Sequence, residues 1–273
     1  TPDGLSFDGV TIRPLLENEE APSDWPDRIL VTDSQRVKDP IKWRKSSVMT
    51  SDWRLVSNPA KDGTIVHELY AIKTDPKQET NVLADHPEVA ERLKTFYDEW
   101  WEELEPTFGE PTRIRIGSDA ENPSRLTSHD WITTGSTPWN QGHVRKGTTK
   151  PETFGAWHLE IESAGEYSVE LRRWPNEGPV ADHAITDPEP PGENVPGVDP
   201  FRMTPGKAIG AVSASIEIGG ETYTQEVAEG ASHVTFPVKL EYGPTELFGK
   251  FIAEDGTETG AFFAYIERLS KLK

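Results

Sequence analysis

The chain of 273 residues carries 28 Lys and Arg against 47 Asp and Glu, a net charge of −19 that argues against nucleic acid and anionic membrane as partners and fits a protein of a salty habitat. It has no cysteine, which rules out disulfides, thiolate metal sites and cysteine nucleophiles, and no run near the ~18 apolar residues of a membrane span. Its length suits one large domain or two ordinary ones, and its nine Trp and ten Phe can supply a core.

In chain order, Thr1-Pro2-Asp3-Gly4 has neither the charged nor the apolar region of an export signal. The expectation is a chain that begins inside a longer precursor. Arg28 to Thr32 reads as a short buried strand. Val48 to Thr50 and Trp53 to Val56, joined by Ser51-Asp52, read as a hairpin, and Glu68 to Ile72 as a further strand closed by Asp75-Pro76. A helix follows, with Asp85 as cap, Pro87 in the first turn and Glu88 in the place of a capping box. Val89, Leu93, Phe96, Tyr97, Trp100, Trp101 and Leu104 recur at three- and four-residue steps, one apolar face packing on a sheet, and Pro106 and Gly109 end the helix.

Beyond residue 110 the period changes to two. Trp157, Leu159 and Ile161 alternate with polar residues, as do Tyr167, Val169 and Leu171 after an Ala164-Gly165 turn. The stretches 212–218 and 234–240 repeat the pattern, and a last strand is expected from about Gly260 to Leu269. Between Trp174 and Gly206 runs a loop rich in Pro, Gly and acid. The expected fold class is therefore α+β: residues 1–109 forming a small antiparallel sheet covered by one long helix, and residues 110–273 an all-β, jelly-roll-like sandwich.

Several motifs resemble the C-terminal part of formylglycine-dependent sulfatases. Trp43 to Val56 is similar to the family's "aVRT…yKLI" hairpin. Glu68-Leu69-Tyr70-Ala71-Ile72-Lys73-Thr74-Asp75-Pro76-Lys77-Gln78-Glu79-Thr80-Asn81-Val82 is similar to "ELYDLxxDPxExxNL", and His86 to Leu93 to the "HPEVxxxL" helix that follows it. Upstream, Asp8-Gly9-Val10 with Pro14-Leu15-Leu16 resembles "DGxSLxPLL". Ala71 departs from the pattern, which usually has Asp there. The stretches Ser128-His129-Asp130-Trp131, Pro138-Trp139-Asn140-Gln141, Leu171-Arg172-Arg173-Trp174-Pro175 and Gly260 to Tyr265 resemble the β-rich tail of a subset of bacterial sulfatases.

The resemblance implies a periplasmic or secreted enzyme whose α/β catalytic domain lies upstream, with calcium and a formylglycine made from a C/S-x-P-x-R motif. This chain would be a partner of that domain, and the substrate a sulfated glycan or aryl sulfate. Glu121-Asn122-Pro123-Ser124-Arg125 matches only the tail of that motif, with Glu121 where the nucleophile should stand. No catalytic residue is expected in this chain.

Residues that could still meet substrate fall in two groups. Gln35 and Arg36 leave a buried strand, and Lys42 and Lys45, with Lys38 and Arg44 beside them, form a basic strip that suits sulfate or protects a strand edge. His129, Trp139, Asn140 and Gln141, near Trp131 and His143, combine aromatic, amide and imidazole groups that suit a sugar or dock one domain on another. Two rival readings stay open: a non-catalytic carbohydrate-binding module, and a piece of a related phosphoester or phosphonate hydrolase.

Overall fold

A computed structural model describes residues 7–17, 22–23, 25–33, 38–133, 141–147, 154–188 and 206–271. The chain divides into two compact units, Thr1–Gln35 with Ile41–Thr107, and Arg36–Pro40 with Phe108–Lys273. Strands dominate and helices are few.

The first unit opens with a one-turn helix α1 (Arg13–Glu17) and builds a four-stranded antiparallel sheet in chain order, β1 (Leu30–Asp33), β2 (Ser46–Met49), β3 (Trp53–Pro59) and β4 (Ile65–Ala71). Thr50 makes the β2–β3 turn. Its N–H donates to the Trp53 carbonyl at 2.9 Å while its Oγ1 accepts from the Asp52 and Trp53 amides. The register sets Val48 beside Leu55 and Leu55 beside Leu69, all three fully buried. Helix α2 (Pro87–Leu104) packs against β2 and buries Ala90, Leu93, Tyr97 and Trp101. Each of these leucines stabilises the unit by about 1.5–3 kcal/mol through burial.

The capping box does not form. His86 is the N-cap and makes no side-chain cap bond, Pro87 takes the first position, and the Asp85 amide donates to Val82 in the preceding turn. Proline there has no N–H to leave unsatisfied, so less is lost without the cap. The turn before the helix is instead held by two motif residues. Asp75 accepts from the Glu79 and Thr80 amides at 3.1 and 2.9 Å, and these bonds hold its carboxyl below its ordinary pKa. Asn81 accepts from the amides of Leu69 and Leu83 at 3.1 and 3.0 Å, tying the turn back to β4.

The second unit contains β5 (Ile114–Ile116), β6 (Ser124–Thr127), a six-residue helix, β7 (Trp157–Ile161), β8 (Gly165–Arg172), β9 (Ala211–Ile218), β10 (Glu221–Glu226), β11 (Val234–Leu240), β12 (Gly243–Ala253), β13 (Glu258–Gly260) and β14 (Phe263–Lys271). One sheet runs β10-β9-β12-β7-β5 with β13 paired to β12, and the other runs β11-β8-β14-β6. Trp157, Leu159, Ile216 and Phe251 of the first sheet and Val169, Leu171, Phe236 and Ile266 of the second share one buried cluster, as in a sandwich.

Two sequence expectations change here. The single strand expected from Gly260 to Leu269 is two, β13 in one sheet and β14 in the other, with buried Ala261 and Phe262 crossing between them. β12, the longest strand, begins with Gly243-Pro244, which reads in sequence as a terminating turn. Its mid-strand Gly249 also looks like a break. A Cβ there would stand 3.0 Å from the Leu171 side chain, so glycine allows the two sheets to approach.

Arg173 organises the loops that leave β8. It is fully buried, and its guanidinium donates to the carbonyls of Val144, Arg145, Ile185, Asp187 and Lys207. Five carbonyls from three stretches of backbone thus converge on one cation, and Trp174 adds a bond to the Ala184 carbonyl at 3.1 Å. The Leu171-to-Pro175 motif is in this sense a structural pin.

Candidate functional site

In the first unit, chemistry-bearing side chains meet around Tyr97. Its hydroxyl donates to Asp33 at 2.7 Å and accepts from the Trp43 amide at 3.2 Å, and its ring stacks on Trp43 at 3.9 Å between centroids. Burial, and then the Asp33 carboxylate, push its pKa far above the ordinary tyrosine value. Trp43 adopts a left-handed backbone, φ 68°, to place that ring. Ser57 Oγ lies 2.8 Å from His67 Nδ1, the spacing of a nucleophile and its base. Ser57 is only 1% exposed, so no substrate reaches it, and burial lowers the pKa of His67, which favours the neutral imidazole. These groups brace the sheet against α2.

In the sandwich, Tyr265 plays a similar part on an outer face. Its hydroxyl donates to Glu177 at 2.7 Å and accepts from the Asn176 amide, holding the loop after β8. Burial first, and the Glu177 carboxylate with it, raise its pKa to about 12.

One feature with room for a ligand is a cleft of about 1010 Å³ on the outer side of the sheet that contains β7 and β12. Side chains alternate along β12, so Glu246 and Phe248 face outward while Leu247 enters the core. His158 faces outward from β7, directly opposite Glu246, and its Nδ1 lies 3.2 Å from Glu246 Oε1. Phe154 forms a wall, 6.5 Å from Phe248 between ring centroids. Arg113 donates from Nη1 to the carbonyls of Leu159 and Thr245, which fixes its guanidinium at the cleft.

Two glycines allow the close packing around Trp131 and Phe154. A Cβ at Gly260 would stand 2.7 Å from the Trp131 ring, and one at Gly155 would stand 2.6 Å from the Ile132 carbonyl. Trp131 itself is 3% exposed, packed between Trp157 and Phe262. It is core, with no face open to a sugar.

The residues singled out from sequence are scattered. Gln35, Arg36, Trp139 and Asn140 lie outside the described residues. Gln141 begins the short helix α3 (Gln141–Lys146). Lys42 pairs with Asp98 of α2 at 2.8 Å, and Lys45 is exposed on a left-handed turn. His129 is exposed in a 3-10 turn, Ser128–Asp130. Sequence reading missed Phe154, His158, Glu246 and Phe248. His158 was visible as the polar member of the Trp157–Ile161 alternation, but β12 had to be recognised as a strand before Glu246 and Phe248 could be placed beside it.

No protein-family model matches the sequence, and no curated protein does. Among solved structures, a ruminal GH26 endo-beta-1,4-mannanase is similar over 57% of this chain, with 12% identity and a TM-score of 0.30; the match spans 28% of the mannanase chain. A CBM35 from Cellvibrio japonicus Abf62 is similar over 56% of this chain and 96% of its own, with 12% identity and a TM-score of 0.24. At these scores neither likeness bears on the chemistry of the cleft.

Proposed function

We propose that this chain is the C-terminal portion of a periplasmic or secreted sulfate-ester hydrolase acting on a sulfated carbohydrate or aryl sulfate, and that its first unit completes a catalytic domain encoded upstream. The observation that carries this reading is where apolar surface stays open. Among the described residues, eleven large hydrophobic side chains are exposed, and eight of them are in the first unit: Phe7, Val10, Ile12, Leu15, Leu16, Leu30, Ile41 and Val66. Phe7 is 66% and Leu16 76% exposed. Exposed apolar side chains concentrated in one of the two units support a surface there that packs on something else. The resemblance of residues 4–105 to the sulfatase family supports an upstream catalytic domain as that partner, and Asp75 and Asn81, fixed positions in its motif, hold the turn after β4.

The chain's own part is to bind and position. On the sulfatase resemblance, calcium and formylglycine would be held by the upstream domain, and no step of the reaction is assigned to this chain. The chain alone should leave 4-nitrophenyl sulfate unhydrolysed with calcium present. Extended by its upstream coding sequence it should hydrolyse that ester. Release of phosphate from 4-nitrophenyl phosphate in preference to sulfate would assign it to the phosphoester hydrolases instead.

A further inference from the structure

We infer that the cleft formed by Phe154, Phe248, His158, Glu246, Arg113 and Glu110 is a binding site for a neutral pyranose oligosaccharide. The inference does not depend on the first unit belonging to a sulfatase, because the cleft is formed by residues of the second unit.

Size, surface and charge point to the same ligand. The cleft's volume stands at the top of the ~300–1,000 Å³ range of ligand sites, enough for more than one sugar ring. Phe248 is partly exposed on the outward face of β12, and its ring offers an apolar platform of the kind the C–H face of a pyranose covers. Around it stand groups that pair with hydroxyls: the Glu246 carboxylate, whose side chain is 58% exposed, the His158 imidazole and the Arg113 guanidinium. Rigid strands carry Phe248, Glu246 and His158, so little ordering is lost on binding.

The charge selects among sugars. Lys38 and Arg113 face three carboxylates in the cleft, Asp39, Glu110 and Glu246, within a chain of net charge −19. Arg113 is also committed to two backbone carbonyls. A sulfate or uronate would meet more negative charge than positive there, whereas hydroxyls meet both donors and acceptors. The site therefore suits unsubstituted rings, such as those flanking a charged group elsewhere on a glycan.

The full chain should be titrated by calorimetry with cellohexaose, mannohexaose, xylohexaose and β-1,4-galactohexaose, and with a chondroitin sulfate hexasaccharide. At least one neutral hexasaccharide should bind with a Kd below 1 mM, and the sulfated one at least tenfold more weakly. Phe248→Ala and Glu246→Gln should each weaken binding about tenfold, with the circular dichroism spectrum unchanged for the more exposed Glu246→Gln. Binding to none of the neutral sugars, tighter binding of the sulfated one, or unchanged affinity in Glu246→Gln with intact binding in Phe248→Ala would overturn the inference.

Discussion

The two units bury their apolar residues to different degrees. In the sandwich, β11 alternates Val234, Phe236, Val238 and Leu240 inward with Thr235, Pro237 and Lys239 outward, and nearly every large apolar side chain finds the shared core. In the first unit the α2 side of the sheet is closed by Leu93, Tyr97 and Trp101, while Leu30 and Val66 on the strands and most of the apolar residues before β1 remain open. One unit is closed on itself; the other is closed on one side only. A small sheet with one covering helix buries little surface against the entropy of ordering its backbone, so this asymmetry should appear as a difference in stability.

The comparison is tested most severely at the sandwich's own pin. Arg173→Met leaves five carbonyls without their donor and should cost about 3–5 kcal/mol, read as a lower urea midpoint of the second unit with the first unit's signal unmoved. A loss below about 1 kcal/mol would mean that water replaces the guanidinium without difficulty.

Much of this difference was legible in the sequence, and the parts that were not have physical causes. The alternation in 157–161, 165–171 and 234–240 shows directly where one sheet face is wet, whereas in 212–218 it fails at Val212, which is exposed, and at Ser215, which is buried. β12 was hidden because Gly243, Pro244 and Gly249 serve close approach and strand entry, and glycine and proline read from sequence alone as turns. β5 and β6, of three and four residues, are too short to carry a period. The cleft escaped because it joins Phe154 and His158 to Glu246 and Phe248, some ninety residues apart, through the β7–β12 register. His129 drew attention as an imidazole near aromatics, but it is exposed in a turn while the neighbouring Trp131 is core.

Smaller effects sharpen the same contrast. Asn81→Ala removes the acceptor of two amides in the first unit and should cost about 1–2 kcal/mol there, measured as faster hydrogen exchange of β4 with the sandwich unaffected. Tyr265→Phe should cost the sandwich about 1 kcal/mol near neutral pH. Unfolded, a tyrosine loses its proton near pH 10, whereas folded Tyr265 holds it to about 12. The unfolded state therefore releases its proton first, and this contribution, complete below pH 10, fades as pH rises toward 12. The Tyr265→Phe sandwich should show a shallower alkaline loss of stability than the wild-type chain. An identical slope would remove Tyr265 from the account.

The central claim, that the first unit depends on a partner and the second does not, is tested most directly by native-state hydrogen exchange of the whole chain, read segment by segment by mass spectrometry. Amides of β8, β9 and β12 should be protected to the full unfolding free energy, while those of β1 to β4 and α2 should open at a free energy lower by several kcal/mol, roughly the difference between a closed and a half-closed core. Equal protection across both units, with Leu69 and Leu93 exchanging as slowly as Leu171 and Phe251, would contradict it.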